Sequence, residues 1–415
     1  MFRWLSRHAA AGLLALAVAS PVSAWARGEA PHVPSEIFDD WTLVCDNGRR
    51  CTAAGLPTQA VRTGESELDG GGDALLMIVR DPQANAQARA EIVLPYWEGP
   101  GAGGRWTLTD TSGKPIAPAL TALFIPSDHT LRIRLPSAAV DALLRAPREV
   151  TLTPASRKPV TVLSLVGLKP ALIRLDAVQG RSGGVTAIVS KGPRPASAVP
   201  APPPIPIVRK ASRSRTAPPR LKPPQALIAL SGQLSALEIC SGMGNGVPAE
   251  TVGTPYRLDD RTLLWTIWCE PGNNKGFNQT HIPVLSALDG AKLRFPAFGD
   301  SPPPATPRQI MRARPTDETD RPVPSLSGFT FYAFTGVVEQ SDISSTLAEY
   351  SGRFDRYVWT GRRMVLVEAS EVSVPSVGGS ANAAPYFKVW PPYYRANVVP
   401  AKAARPAVRP AAPPR

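Results

Sequence analysis

The chain has 415 residues, a net charge of +13, 47 prolines and four cysteines. That length is enough for two ordinary domains with apolar cores, and after the first 26 residues no apolar run could cross a bilayer as a helix. The basic excess does not mark a nucleic-acid binder, because 14 basic residues sit in three segments that hold no acid, and +13 less those 14 leaves about −1 for the rest.

Residues 1–26 have the form of a Sec signal peptide. Arg3 and Arg7 make the positive end, Ala9–Ala19 the short apolar stretch, and Ala24-Trp25-Ala26 the cleavage site. Cys45 lies too far downstream to take a lipid at the mature N-terminus. The expected location is the periplasm.

A first β domain is expected over 27–190. Strand-like runs fall at Trp41–Asp46, Cys51–Ala54, Ala74–Arg80, Ala90–Leu94, Trp106–Thr109, Leu131–Leu135, Val150–Thr153 and Val160–Leu165. Ser137 is placed to cap a short helix through Leu144. Pro170 suits the first turn of a second helix, on which Ala171, Leu175 and Val178 share one apolar face and Arg174 stands off it. Gly180 fits a left-handed stop, and Val185–Val189 has strand composition.

Residues 191–224 hold eleven prolines and eight basic residues, and read as an extended, semi-rigid, solvated linker. Residues 225–399 form a second mostly β domain. It opens with a helix from Gln225 to Glu238 and continues with strands at Thr262–Cys269, His281–Leu285, Lys292–Phe295, Phe329–Val338, Tyr357–Trp359 and Met364–Val367. The stretch Gly299–Ser327 reads as a loose loop, and Phe329, Phe331, Tyr332, Phe334, Trp359 and Trp390 as core. Residues 400–415 are a disordered basic tail. The fold class is therefore mainly β with a few short helices, as two sandwich-like or barrel-like domains joined by a Pro-rich linker.

Four cysteines in an exported chain read as two disulfides, and of the three pairings Cys45–Cys51 with Cys240–Cys269 keeps each bridge inside one domain. Strand pairing puts Cys45 opposite Cys51 only if the connection is odd, so a three- or five-residue loop is expected despite the Asn47-Gly48 turn signal. Chain entropy assigns about 2.4 kcal/mol to the small ring and about 3.6 to the larger. No cofactor and no metal site is expected. C-x5-C is not a zinc spacing, and the histidines left after signal removal, His32, His129 and His281, are scattered.

Gly180-Arg181-Ser182-Gly183-Gly184 matches the nucleophile-elbow pattern, but it follows a helix and precedes a strand-like run, the reverse of what an elbow needs. Two groups are candidate binding residues. Asp176, Gln179 and Arg181 close the second helix, where tying the helix end to nearby backbone is the bland role. Asn273, Asn274 and Asn278 form a polar loop just after Cys269. Asp39-Asp40 and Asp259-Asp260 read as turn residues.

Several stretches resemble the DUF1176 family of exported bacterial proteins of unknown function. They are Phe38-Asp-Asp-Trp-Thr-Leu-Val-Cys-Asp-Asn47 with Cys51, and Leu163-Ser-Leu-Val-Gly-Leu-Lys-Pro-Ala-Leu172 running into Asp176-x-x-Gln-Gly-Arg181. Leu263-Leu-Trp-x-x-x-Cys269, Gly276-Phe277-Asn278 and Tyr357-Val-Trp-Thr-Gly361 complete the set. The first domain is also similar to the invasion-associated locus B family. The resemblance implies export, disulfides and two β parts, and it supplies no reaction. Where the family tends to carry a further cysteine pair, this chain has Glu349-Tyr-Ser-Gly352 and Val374-Pro-Ser-Val-Gly378.

The functional expectation is a periplasmic, non-enzymatic binding module whose partner is an anionic envelope surface or a periplasmic protein. The alternatives are an envelope hydrolase using Ser182 or the Asp176 cluster, and a surface adhesion or invasion factor.

Overall fold

The structure, a computed structural model, describes residues 35–62, 74–95, 104–126, 130–155, 158–212, 221–237, 239–240, 252–270, 279–299, 304–314, 323–345, 349–375 and 389–401. The expected signal peptide, His32, His129 and the tail beyond Ala401 lie outside these residues.

Ten strands make one antiparallel sheet: β1 Glu36–Phe38, β2 Trp41–Cys45, β3 Cys51–Gly55, β4 Leu75–Arg80, β5 Arg89–Pro95, β6 Arg105–Asp110, β7 Pro115–Ile125, β8 Thr130–Arg134, β9 Glu149–Pro154 and β10 Thr161–Ser164. Their order is β1-β2-β3-β4-β5-β8-β7-β6-β9-β10. The sheet curls until β10 meets the chain leaving β3. The Thr58 amide donates to the Val162 carbonyl at 2.9 Å and the Ser164 amide to the Leu56 carbonyl at 3.0 Å. This barrel-like closure covers edges that would otherwise be open to strand addition. Trp41, Ile78, Ile92, Leu108 and Ile133 fill its interior. The single-turn α1 (Gln59–Arg62) follows the closure, and α2 (Ala139–Arg145) and α3 (Leu168–Val178) pack on the same core.

The hairpin expectation holds. Cys45 and Cys51 are directly opposed and joined, with five residues between the strands. The Asp46 carboxylate shapes that loop by accepting from the Gly48 and Arg50 amides at 2.9 and 2.8 Å. Arg49 takes the left-handed position, φ 62°, that closes it.

The C-terminal part is built on two further sheets. α4 (Gln225–Ala236) and α5 (Pro307–Arg312) cover one face of a four-stranded sheet made of β12 (Tyr256–Arg257), β13 (Leu263–Glu270), β14 (Thr280–Ser286) and β15 (Leu326–Ser327). Cys240, just past α4, bridges to Cys269 on β13. The other face packs on a five-stranded sheet of β16 (Thr330–Tyr332), β17 (Val337–Ser345), β18 (Glu349–Trp359), β19 (Met364–Pro375) and β20 (Tyr394–Arg395). Here β18 and β19 pair along most of their length, and Tyr350 stands opposite Val374. Of the two stretches expected to lack a cysteine pair, residues 349–350 and 374–375 are therefore neighbours across one ladder.

The same five-stranded sheet packs against the outer face of the barrel. Val44, Leu75, Met77, Val79 and Val93 form one core with Phe354, Leu366, Val372, Trp390 and Tyr393. Strands β2 to β4 are thus buried on both faces. That explains the unbroken apolar run Leu75-Leu-Met-Ile-Val79, where a half-exposed strand would alternate.

Several expectations are corrected. The strand β7 was not anticipated, since Pro115 and Pro118 lie within it. They are accommodated by register shifts against β6 and by Ala119 at φ 56°. Ser137 does not cap α2, whose N-cap is Ala138 without a side-chain bond. Val185–Val189 is a loop, because two of its amides go to a carboxylate rather than to a ladder. Lys292–Phe295 makes a single bridge, Arg294 to Leu285, beside Lys292 at φ 57°.

Phe329–Val338 is broken by a turn at Gly336, φ 72°, and Phe334 is 98% exposed rather than core. The expected loose loop contains α5, with Thr306 at its N-cap, Pro307 at its first position and Gln309 closing a reciprocal capping box. The linker expected to be solvated is in part built into the fold. A Cβ at Gly180 would sit 2.7 Å from Pro200, and one at Gly48 would sit 2.9 Å from Ile205. Beyond them Ile207–Lys210 (β11) pairs in parallel with Asn397–Pro400 (β21).

Two predictions follow from packing. Gly167 has φ 95°, and a Cβ there would sit 1.8 Å from the Phe38 carbonyl oxygen. Gly167→Ala should therefore destabilise the chain by about 3 kcal/mol or more, whereas Gly113→Ala, with the same backbone sign but open space, should cost about 1 kcal/mol in urea denaturation. The second concerns His281, which packs on Phe329 and whose pKa is lowered by burial first, with the Gln279 carbonyl opposing. A folded value below the unfolded one, about 6.5, means stability is complete above that pH and declines as pH falls beneath it. The melting temperature should fall between neutral pH and the onset of carboxylate titration, and His281→Asn should flatten that slope.

Candidate functional site

The site is assembled by an interlock between two distant parts of the chain. Ser164, at the end of β10, donates through its hydroxyl to the Asp40 carboxylate at 2.7 Å, and its carbonyl accepts from the Trp41 indole at 3.0 Å. Trp41 is fully buried beneath Gly55, where any Cβ would lie 2.4 Å from the ring. Gly167 then turns the chain sharply against Phe38 and launches α3. The apolar face of α3 is as expected: Ala171 and Leu175 are buried, and exposed Arg174 pairs with Glu36 at 2.8 Å. Gly180 takes the left-handed conformation after the last turn, φ 69°.

The end of α3 carries Asp176, Gln179 and Arg181, all buried together with Arg80 of β4. One carboxylate oxygen of Asp176 accepts from the Arg80 guanidinium at 3.1 Å, and the other accepts from the Ile188 and Val189 amides at 2.8 and 3.0 Å. The Gln179 amide donates to the Arg49 and Arg80 carbonyls at 2.9 and 3.1 Å. Arg181 spends all five donors inside the protein. They go to the Gln179 side chain at 2.9 Å, to the carbonyls of Pro82, Gln83 and Ala84 at 3.3, 2.5 and 2.6 Å, and to the Thr186 hydroxyl at 3.2 Å. Arg80 also donates to the carbonyls of Ala86, at 3.1 Å, and Thr186.

Two buried guanidiniums face one buried carboxylate. Burial pushes the Arg80 pKa down to about 10, the neighbouring Arg181 charge adds to that, and Asp176 opposes it. Burial lowers Arg181 as well, again against the attraction of Asp176. At about 10, Arg80 remains charged at neutral pH. The cluster works as a clamp, holding three loops (the Cys45–Cys51 hairpin, residues 82–86 and residues 184–189) to the end of one helix. The backbone-tying role thus accounts for all three residues, and Gln179 and Arg181 have no donor left for a ligand.

Arg80 is the member that reaches a surface. It lines a cleft of about 460 Å³ together with Asn85, Gln87, Ser137, Asp141 and Lys191 and with residues 185–188. These groups offer donors and acceptors to a polar ligand on a wall held still by the clamp. A second cleft, about 390 Å³, lies where the hairpin meets the C-terminal sheet, and there Asp46, Arg50, Asp81, Glu368 and Arg395 converge. Asn47 fixes that junction reciprocally, its amide donating to the Arg395 carbonyl at 3.0 Å and its oxygen accepting from the Arg395 amide at 2.9 Å. Burial raises the Asp46 carboxyl above its ordinary value even though Arg50, Gly48 and Arg395 pull the other way. These junction residues were not singled out in the sequence. Only the Asn47-Gly48 turn hinted at them.

The remaining candidates separate. Ser182 is exposed on a turn whose carbonyl accepts from Arg194 at 2.6 Å, and no strand leads into it. His129, the base it would have needed, lies outside the described residues, as do Asn273, Asn274 and Asn278. Asp259 is a turn residue that also accepts from the Trp359 indole at 2.6 Å. Among the described residues no three His, Cys, Asp or Glu side chains cluster as metal ligands, and no helix is long and apolar enough to cross a membrane.

The model of the DUF1176 family, described as a protein of unknown function, matches residues 35–376, and the chain belongs to that family. No curated protein matches it. Among solved structures, the crystal structure of invasion associated protein B from Bartonella henselae is similar at 18% identity, over 35% of this chain and 99% of that one, with a TM-score of 0.27.

Removing Asp176 strands a buried guanidinium, so Asp176→Ala should cost about 3–5 kcal/mol in urea denaturation. Ser182→Ala, at an exposed turn, should shift stability by less than about 0.5 kcal/mol.

Proposed function

We propose that this DUF1176 member is an exported, non-enzymatic binding module that attaches to an anionic surface of the cell envelope and presents a rigid β body beside it. Two disulfides among the described residues fit an oxidising, exported setting. The observation that carries the reading is the segregation of charge. Of the eight basic residues in 191–224, Lys191 lines the first cleft, and Arg194 donates to the carbonyls of Gly180 and Ser182 at 2.7 and 2.6 Å. Arg209 and Lys210 stand on β11; the other four, with the four of the tail and two of the signal peptide, make 10, and +13 less 10 leaves +3 for all the rest. A near-neutral body carries strongly basic extensions, the charge pattern of an electrostatic tether.

The ribbon of β11 and β21 supports it further. Lys210 stands in register with Pro400, and the Ala401 amide donates to the Lys210 carbonyl at 2.8 Å. Both basic sequences therefore continue from neighbouring points. Sedimentation of residues 27–415 with purified cell-wall sacculi and with anionic vesicles tests the reading. Binding at low salt that disappears by a few hundred millimolar is the expected result, because charge attraction is screened over such short distances in strong salt. Absence of binding to both at low salt would remove it.

A further inference from the structure

We propose that the hairpin tip at Phe334, joined through Lys210 to the basic strand β11, is the surface that meets an anionic lipid membrane. The inference rests on the envelope-attachment reading and deepens it by naming the lipid bilayer as the surface and giving the body one orientation on it.

Strands β16 and β17 are joined by Ala333-Phe334-Thr335-Gly336. The turn is closed by the Thr335 and Gly336 amides on the Tyr332 carbonyl at 3.1 and 2.8 Å. Phe334 at its apex is 98% exposed, the largest exposure of any big apolar side chain among the described residues. The hairpin beneath it is stiff. Phe331 is buried against Tyr256, and the Tyr332 hydroxyl donates to Glu339 at 3.0 Å, which Arg356 also engages at 2.7 Å. An aromatic ring held out by a rigid, internally satisfied hairpin is free to enter another phase.

The tip is joined to the basic ribbon. The Lys210 ammonium donates to the Thr335 carbonyl at 3.3 Å, next to Phe334 itself. Arg209 precedes it on an exposed position of β11. Beyond Lys210 the sequence carries Arg213, Arg215, Arg220 and Lys222, and beyond Ala401 it carries Lys402, Arg405, Arg409 and Arg415, with no acid in either stretch. One aromatic beside Lys210, on a strand from which acid-free basic sequence continues, suits a bilayer interface, where a ring settles at headgroup depth and each nearby cation attracts anionic lipid. A protein partner would need an apolar patch of several anchors, and the tip offers one.

The experiment is flotation of residues 27–415 with equimolar phosphatidylglycerol–phosphatidylcholine vesicles and with pure phosphatidylcholine, at low and high salt. The parent should bind the anionic vesicles. Phe334→Ser should weaken that binding about tenfold at low salt, the loss expected for one apolar ring left in water. Arg209→Glu with Lys210→Glu should weaken it by about fivefold or more per residue at low salt, and less at high salt. Phe334→Trp should retain the parent's affinity. Because the ring is exposed, the Phe334 variants should melt at the parent's temperature. Parent and Phe334→Ser binding alike would overturn the tip as the contact while leaving electrostatic attachment standing. Sedimentation with sacculi but never with vesicles would overturn the lipid assignment. Binding to neither would remove the attachment reading itself.

Discussion

The buried carboxylate of Asp176 is the constraint on which the first half of the molecule depends. A lone carboxylate in an apolar core is costly, and so is a lone guanidinium, so Asp176 and Arg80 are stable there only as a hydrogen-bonded pair. The second carboxylate oxygen then takes two backbone amides from residues 188 and 189, and Arg181 takes three consecutive carbonyls from residues 82–84. None of these loop groups is in a strand ladder. Without the clamp they would turn to water, and the walls of the Arg80 cleft would have no fixed shape. Gln179 extends the same network to the disulfide hairpin. The hairpin in turn carries the Asp46–Arg395 junction to the C-terminal sheet, so local order at one helix end reaches that sheet through the hairpin loop.

Much of this fold is legible in the sequence, for physical reasons that can be named. The strands of the barrel declare themselves through β-branched, apolar runs. The cysteine pairing follows from keeping each bridge inside one domain, the odd loop between Cys45 and Cys51 from the rule that opposed residues need one, and α3 is announced by Pro170, a period of apolar residues and Gly180. The motifs Phe38–Asn47 and Leu163–Leu172 resemble family patterns, and the structure supplies their reason. Trp41, Asp40, Ser164 and Gly167 meet at one joint, and Gly167 has no room for a side chain.

What was not legible has equally definite causes. Prolines at bulges hid β7, because a proline argues against a ladder unless the register shift is known. Asp176 withdrew two amides from a segment of strand composition, an effect of tertiary structure on a local preference. The proline-rich segment reads as solvated because nothing local shows that Pro200 lands on Gly180 and Ile205 on Gly48. Phe334 was counted as core since composition cannot tell a strand interior from a hairpin apex. Two further features are legible in the sequence: the Thr306-Pro307-x-Gln309 cap of α5, and the unbroken run Leu75–Val79, which marks a strand covered on both faces. That second face is where the C-terminal sheet docks.

The account turns on the clamp, and amide hydrogen exchange at Ile188 and Val189 tests it most directly. Both amides lie in a loop outside any strand, and their acceptor is a buried side chain. If Asp176 holds the loops as one unit, the two should exchange as slowly as the amides of β3 and β4, through opening of the whole barrel. Exchange at the rate of an open surface loop would contradict the clamp and remove the basis for a preformed cleft at Arg80.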